Sequence, residues 1–131
     1  MKILTFTRYG LRALAFLCKQ KKYCSVKKIS QSEKIPTDYL EKILLKLKKG
    51  KILKAKRGAN GGFKLNCQPE KINLTEIFKA LDEDFLKIVC INGSVLKCPR
   101  KQTCSSKKVW LKIYQSLHKT LQSTSLSQII K

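Results

Sequence analysis

Acidic side chains are scarce in this chain. Eight Asp and Glu stand against 29 Lys and Arg in 131 residues, a net charge of +21. Charge of this size favours a polyanion partner through counterion release. A membrane surface fits less well, because the lysines are spread over several elements rather than along one amphipathic helix. Long apolar runs are missing too: none reaches ~18 residues, so no membrane-spanning helix is expected. The start, from Met1 to Cys24, is no export signal by this reading. Arg8 and Arg12 interrupt its apolar part and no small-residue cleavage site follows, so the cytoplasm is the expected location. Histidine occurs once, at His118, so no Ser/His/Asp set can be assembled. There is no C-x-x-C and no phosphate-cradling G-x-x-x-x-G-K. An enzyme is therefore not expected. Internal repeats and low-complexity linkers are absent as well.

What is present is a hydrophobic fraction of 43%, enough for a core in one domain or one domain plus an appendage. The charge is uneven: residues 1–66 carry 18 basic and 3 acidic side chains, and residues 67–131 carry 11 and 5.

The stretch from Ile35 to Cys67 organises the rest. Leu40, Ile43, Leu44 and Leu47 fall on one face of a helix. Pro36 suits its first turn and Gly50 its C-cap. Lys42, Lys46 and Lys49 occupy the opposite side. Two short extended runs follow, Ile52 to Arg57 and Gly62 to Asn66. The Asn60-Gly61 pair between them is a strong hairpin signal, because both residues tolerate positive φ. A basic helix followed by a basic hairpin suits a recognition helix and its wing. A solvated amphipathic helix beside an incidental hairpin is the alternative reading of the same residues.

Elsewhere the pattern gives more helix. Thr7 to about Lys19 carries an apolar stripe of Leu11, Leu14, Ala15 and Cys18, with Thr5 or Thr7 as cap. Ser25 suits the N-cap of a short helix to about Ser32, with Ile29 facing inward. Together with the helix from Pro36 this makes a helix-turn-helix. Asn73 or Thr75 suits the cap of a helix to about Leu81, followed by the acidic cluster Asp82-Glu83-Asp84. From Ser106 to Ser123 a longer helix bears Val109, Trp110, Ile113, Tyr114, Leu117 and Leu121. With Leu126, Ile129 and Ile130 this exceeds what a small monomer can hide, which points to a homodimer. The expected architecture is mainly α with a small β-hairpin wing. Its parts are a winged helix-turn-helix unit (1–67), a connecting helix (68–89), a cysteine loop (90–105) and a C-terminal dimerisation segment (106–131).

Six cysteines are present: Cys18, Cys24, Cys67, Cys90, Cys98 and Cys104. Disulfides are not expected in a reducing compartment. Cys18 and Cys24 read as ordinary thiols, Cys18 as a small buried apolar residue. Cys90, Cys98 and Cys104 form C-x7-C-x5-C in a loop without helical or strand period. Soft thiolates suit an iron–sulfur cluster, whereas zinc sites more often use closely spaced C-x2-4-C pairs. Three free thiols are the third possibility.

Several motifs in one order carry a family resemblance. FTRYGLRALAFL, PTDYLEKILLKLKKGKIL, RGANGGFKL, LTEIFKAL, the three cysteines, VWLKIY and SLSQII follow one another over nearly the whole chain. In this the chain resembles the IscR/NsrR-type winged-helix transcriptional regulators of the Rrf-two family. The resemblance implies a homodimeric regulator, usually a repressor, acting on a palindromic double-stranded DNA promoter site. It places Thr37, Asp38, Tyr39 and Lys42 at the major groove and Arg57 in the neighbouring minor groove. Glu41 matches a glutamate that helps choose between classes of binding site. Charge suggests a phosphate contact for Lys46, and Gly61 and Gly62 let the wing backbone approach closely. The resemblance further implies that Cys90, Cys98 and Cys104 bind a 2Fe–2S or 4Fe–4S cluster. No fourth ligand is evident. The positions that relatives use hold Lys107 and Arg8 here, and His118 lies over three turns down the helix. Control by thiol oxidation or by a partner protein, without a cluster, is the alternative.

Overall fold

The computed structural model describes residues 5–82, 99–100 and 102–130. In chain order its elements are α1 (Thr5–Gln20), α2 (Val26–Glu33), α3 (Thr37–Lys49), β1 (Leu53–Lys56), β2 (Gly62–Leu65), α4 (Leu74–Ala80) and α5 (Lys107–Ser123). Single 3-10 turns sit at Pro69–Lys71 and Leu126–Gln128. The fold is thus mainly helical, with one antiparallel hairpin and a long C-terminal helix. No helix among the described residues is long and apolar enough to cross a membrane.

The core is built around α3. Leu40, Ile43, Leu44 and Leu47 are all fully buried, as their spacing requires. Burial of each contributes at most about 1.5–3 kcal/mol, counted against an extended chain. The Gly50 amide closes the helix by donating to the Lys46 carbonyl at 3.0 Å. A Cβ on Gly50 would lie 2.7 Å from the Ala80 Cβ, so α3 and α4 meet closely there.

Ser25 caps α2 as its position predicts, its hydroxyl accepting from the Lys28 amide at 3.2 Å. Ile29 is buried, and Lys34 ends the helix in the left-handed region at φ 53°. α1 differs from expectation in its inward face. Ala13, Leu14, Phe16, Leu17 and Cys18 are buried, whereas Leu11 and Ala15 are only half-buried. The helix packs against α2, α3 and β2, so its buried arc is wider than one stripe. Thr7, a candidate cap, is fully buried within the helix.

The hairpin pairs Leu53 with Leu65, Lys54 with Lys64, Ala55 with Phe63 and Lys56 with Gly62. Its turn differs from expectation only in which residues take positive φ. Positive φ falls at Gly58 (110°) and Gly62 (138°), not at Asn60, and the Gly61 amide donates to the Gly58 carbonyl at 3.0 Å. The hairpin itself forms where expected, with residues 57–61 bridging the two strands.

Asn73, rather than Thr75, caps α4. Its side chain accepts from the Glu76 amide at 3.0 Å, and the Glu76 carboxylate accepts from the Asn73 amide at 3.2 Å. The C-terminal segment returns to this point. Leu74 donates to the Thr124 carbonyl at 3.0 Å, Leu126 donates to the Ile72 carbonyl at 2.8 Å, and Asn73 bridges Ser125. Leu121 and Leu126 join the same core, with Ile130 packed against it. The expectation that Leu126 adds to leftover surface is corrected: it is fully buried in its own chain.

Candidate nucleic-acid interface

The face of α3 opposite its buried stripe is polar and open. Thr37, Asp38, Tyr39, Glu41 and Lys42 are all exposed, and so is Leu45. Near the helix start, the Thr37 hydroxyl lies 3.3 Å from that of Ser30, which itself donates to the Ile35 carbonyl at 2.6 Å. This fixes the turn between α2 and α3. Tyr39 stands half-exposed against two rings of α1, with centroids 6.2 Å from both Phe6 and Tyr9. Arg12 covers Tyr9 at 5.6 Å from its centroid. It also pairs with the Glu33 carboxylate at 3.9 Å and donates to the Glu33 carbonyl. The outer end of α3 is therefore held by aromatic contacts to α1 and by α1's own tie to the end of α2.

The hairpin is two-sided. Leu53, Ala55, Phe63 and Leu65 share one face, and Leu53 is buried while Phe63 and Leu65 pack against the core. Lys54, Lys56 and Lys64 share the other face, because side chains alternate along a strand. The Tyr23 ring sits near both Lys56 (5.9 Å) and Lys64 (5.8 Å). Gathering like charges on one face is unfavourable without a counter-charge, so such a face suits a polyanion. The period-two alternation of LKAK and GFKL carries this signal in the sequence. Phe6, Tyr9, Arg12 and Tyr23 carry none that a local pattern would reveal.

Arg57 is exposed at the end of β1, beside this face. Gly61 and Gly62 are half-buried, and a Cβ on Gly61 would meet the Lys56 carbonyl. Lys46 follows Lys42 by one turn of α3 but is less open. It is half-buried, its ammonium 2.6 Å from the Asp82 carboxylate and 5.1 Å from the centroid of Phe6.

Of the cysteine trio, Cys104 alone falls among the described residues; Cys90 and Cys98 lie outside them. Cys104 is half-buried just before α5, its sulfur 3.1 Å from the Ser106 hydroxyl. That hydroxyl holds the thiol below its usual range, helped by the Ser106 and Lys107 amides and the Arg100 charge. A thiolate-favouring setting is what iron–sulfur ligation asks of a cysteine. Among the described residues no group of three or more potential ligands converges. Arg8 is exposed, and Lys107 opens α5. His118, expected at the surface, is half-buried and stacked on Tyr114 at 5.7 Å.

The family model for Rrf2, described as an iron-dependent transcriptional regulator, matches residues 3–131. The chain belongs to the Rrf2 family. This Rrf2 protein is 32% identical to the HTH-type transcriptional regulator NsrR of Bacillus licheniformis over 132 residues, which is 99% of this chain and 92% of that one. Among solved structures it is similar to CymR (YrzC), the global cysteine regulator of B. subtilis. That likeness has a TM-score of 0.79 and 28% identity, over 99% of this chain and 96% of that one. It is also similar to IscR of T. potens, with a TM-score of 0.77 and 26% identity, over 99% and 86%. An Rrf2 protein of this kind is a DNA-binding transcriptional regulator with a winged helix-turn-helix fold, not an enzyme.

Proposed function

We propose that this regulator acts as a cytoplasmic homodimer on a palindromic promoter site, as a repressor, and that an iron–sulfur cluster controls its DNA binding. Thr37, Asp38, Tyr39, Glu41 and Lys42 face the major groove. Arg57 enters the adjacent minor groove, where a narrow, electronegative groove favours a guanidinium. The lysine face of the hairpin follows the flanking phosphates, and Gly61 and Gly62 keep its tip close to the backbone. What supports this is the exposure of α3's polar face together with that of Lys54 and Lys56 on the cationic face of the hairpin that follows it.

The dimer reading rests on α5. Val109, Trp110, Leu111 and Ile113 are 58%, 43%, 40% and 41% exposed. Four large apolar side chains on one helix are more open surface than a monomer usually keeps. A second copy covers them by two-fold symmetry, which also matches a palindromic site.

Cys90, Cys98 and Cys104 would hold the cluster, 2Fe–2S or 4Fe–4S. When bound it would supply a redox- and nitric-oxide-sensitive centre beside α5. This chain's part is to present three thiolates. Ser106 and the first amides of α5 aid the ionised form of Cys104. The iron dependence by which the family is described favours this reading. Likeness to CymR, which in Staphylococcus aureus has also been solved in an oxidised form, favours a second: the same DNA binding governed by thiol oxidation without a cluster.

Anaerobic purification decides between them. The cluster reading expects a coloured protein with stoichiometric iron and sulfide, and a spectrum that bleaches with nitric oxide. A colourless protein after reconstitution overturns it. Loss of operator control in Cys98→Ala under oxidant alone, without iron, supports the second reading.

A further inference from the structure

We propose that Asp82 is an internal stand-in for a DNA phosphate: it occupies Lys46 in the free protein and so lowers affinity for every duplex. The inference rests on the reading of α3 as the DNA-facing helix. Lys46 lies one turn beyond Lys42 on the same side of α3. Among the described residues it is the one lysine joined to a carboxylate. The Lys46 ammonium donates to the Asp82 carboxylate at 2.6 Å and lies 5.1 Å from the centroid of the Phe6 ring. The competing cations are close at hand. Lys49, Lys51 and Lys79 line the same cleft, with Glu76 as its other carboxylate. Asp82 nevertheless faces Lys46.

The pair has little structural work to do. Asp82 is exposed, and exposed ion pairs contribute little to stability. Its backbone sits in the left-handed region at φ 57°, just past the end of α4, where Asn or Gly is at least as comfortable. The geometry is one that a phosphate oxygen would reproduce: an anionic oxygen within charge-assisted hydrogen-bond reach of an ammonium. DNA must therefore displace Asp82 before Lys46 can neutralise a phosphate. While Asp82 holds Lys46, that lysine neutralises no phosphate and releases none of the cations condensed on the duplex.

The test is fluorescence anisotropy of the full chain across a range of salt, on two duplexes. One is selected from a random pool by the wild-type protein, and the other is its scrambled form. Asp82→Asn should bind both more tightly, by roughly two- to fivefold. It should also steepen log K against log salt by up to about 0.9. In a Lys46→Gln background the same Asp82→Asn change should have no effect. Glu76→Gln keeps the helix cap and removes a charge from the same cleft, and it should gain less than Asp82→Asn. An equal gain from Asp82→Asn with and without Lys46 overturns the proposal, since the carboxylate then acts only through net charge. No gain at all also overturns it. If the wild-type protein selects no duplex, the DNA-facing reading of α3 falls with it.

Discussion

The main-chain amide of Cys24 donates to the carbonyl of Phe63 at 3.0 Å, and the Phe63 amide returns the bond at 2.8 Å. The loop between α1 and α2 thereby lies along β2 as a short third edge. The apolar side of the hairpin is pressed onto the core, and its lysine side is left outward. Wing orientation is thus set by backbone pairing as well as by side chains.

Gly62 makes that pairing possible. Its φ is 138°, and a Cβ there would collide with the Cys24 carbonyl. Gly62→Ala should destabilise the fold by roughly 1–3 kcal/mol, through strain and loss of the bridge. Gly58→Ala, whose Cβ would meet open space, should lose less. Urea unfolding midpoints of the two variants check the order.

Asn73→Ala should cost about 1 kcal/mol, the usual loss for an N-cap. Thr75→Val should be neutral or stabilising, because the Thr75 hydroxyl is buried without a hydrogen-bond partner. Chemical denaturation of both variants distinguishes the two candidate caps.

Arg57→Ala should lose roughly 1–3 kcal/mol at a preferred site and much less on scrambled duplex. Equal losses on both would reduce Arg57 to a phosphate contact. Anisotropy titrations at one salt concentration read the difference.

The open face of α5 predicts a dimer that charge will break. Trp110→Glu should raise the dimer dissociation constant by about thirtyfold or more, equivalent to roughly 2 kcal/mol at an interface anchor. Far-ultraviolet circular dichroism should stay unchanged. Sedimentation equilibrium measures the constant, and a wild-type protein that is monomeric throughout would remove the basis for the prediction.

Burial pushes the Cys18 thiol up to about 11 from 9.0, with the Glu70 charge adding to the shift. The folded chain therefore holds this proton after the unfolded chain has lost it. Stability present below pH 9 should decline as pH rises from about 9 to about 11. Cys18→Ala should flatten that decline while lowering stability at neutral pH through the cavity it leaves. Denaturant midpoints at pH 8, 9, 10 and 11 test the slope.

What the sequence made legible was local. The i, i+3, i+4, i+7 stripe of α3, the Ser25 cap and the helix after Asn73 each follow from residues within a turn or two of one another. The mainly helical class with its hairpin came from the same kind of pattern, whereas the roles of Thr37, Asp38, Tyr39 and Lys42 came only from the family resemblance. Pairings between distant segments were not legible. Cys24 with Phe63, Asn73 with Ser125 and Lys46 with Asp82 leave no periodic trace. The hairpin was legible from Asn60-Gly61, but the position of its positive φ was not, because Gly62 is set by its distant contact with Cys24. Leu126 looked like surplus apolar surface because its partner, the segment at Ile72, is far away in the chain.

The stitch between Asn73 and Ser125 also makes α5 a lever with a fixed end. Leu121 and Leu126 root it in the core, and its seventeen residues reach about 25 Å at about 1.5 Å per residue. A tilt of about 5° about that root carries the opposite end, where Cys104 sits, through about 2 Å by the same geometry. Read in reverse, a small displacement imposed at the thiol turns the exposed Trp110 and Ile113 relative to α4. In the proposed dimer, events at the sulfur and the angle between the two α3 helices would then share a single hinge.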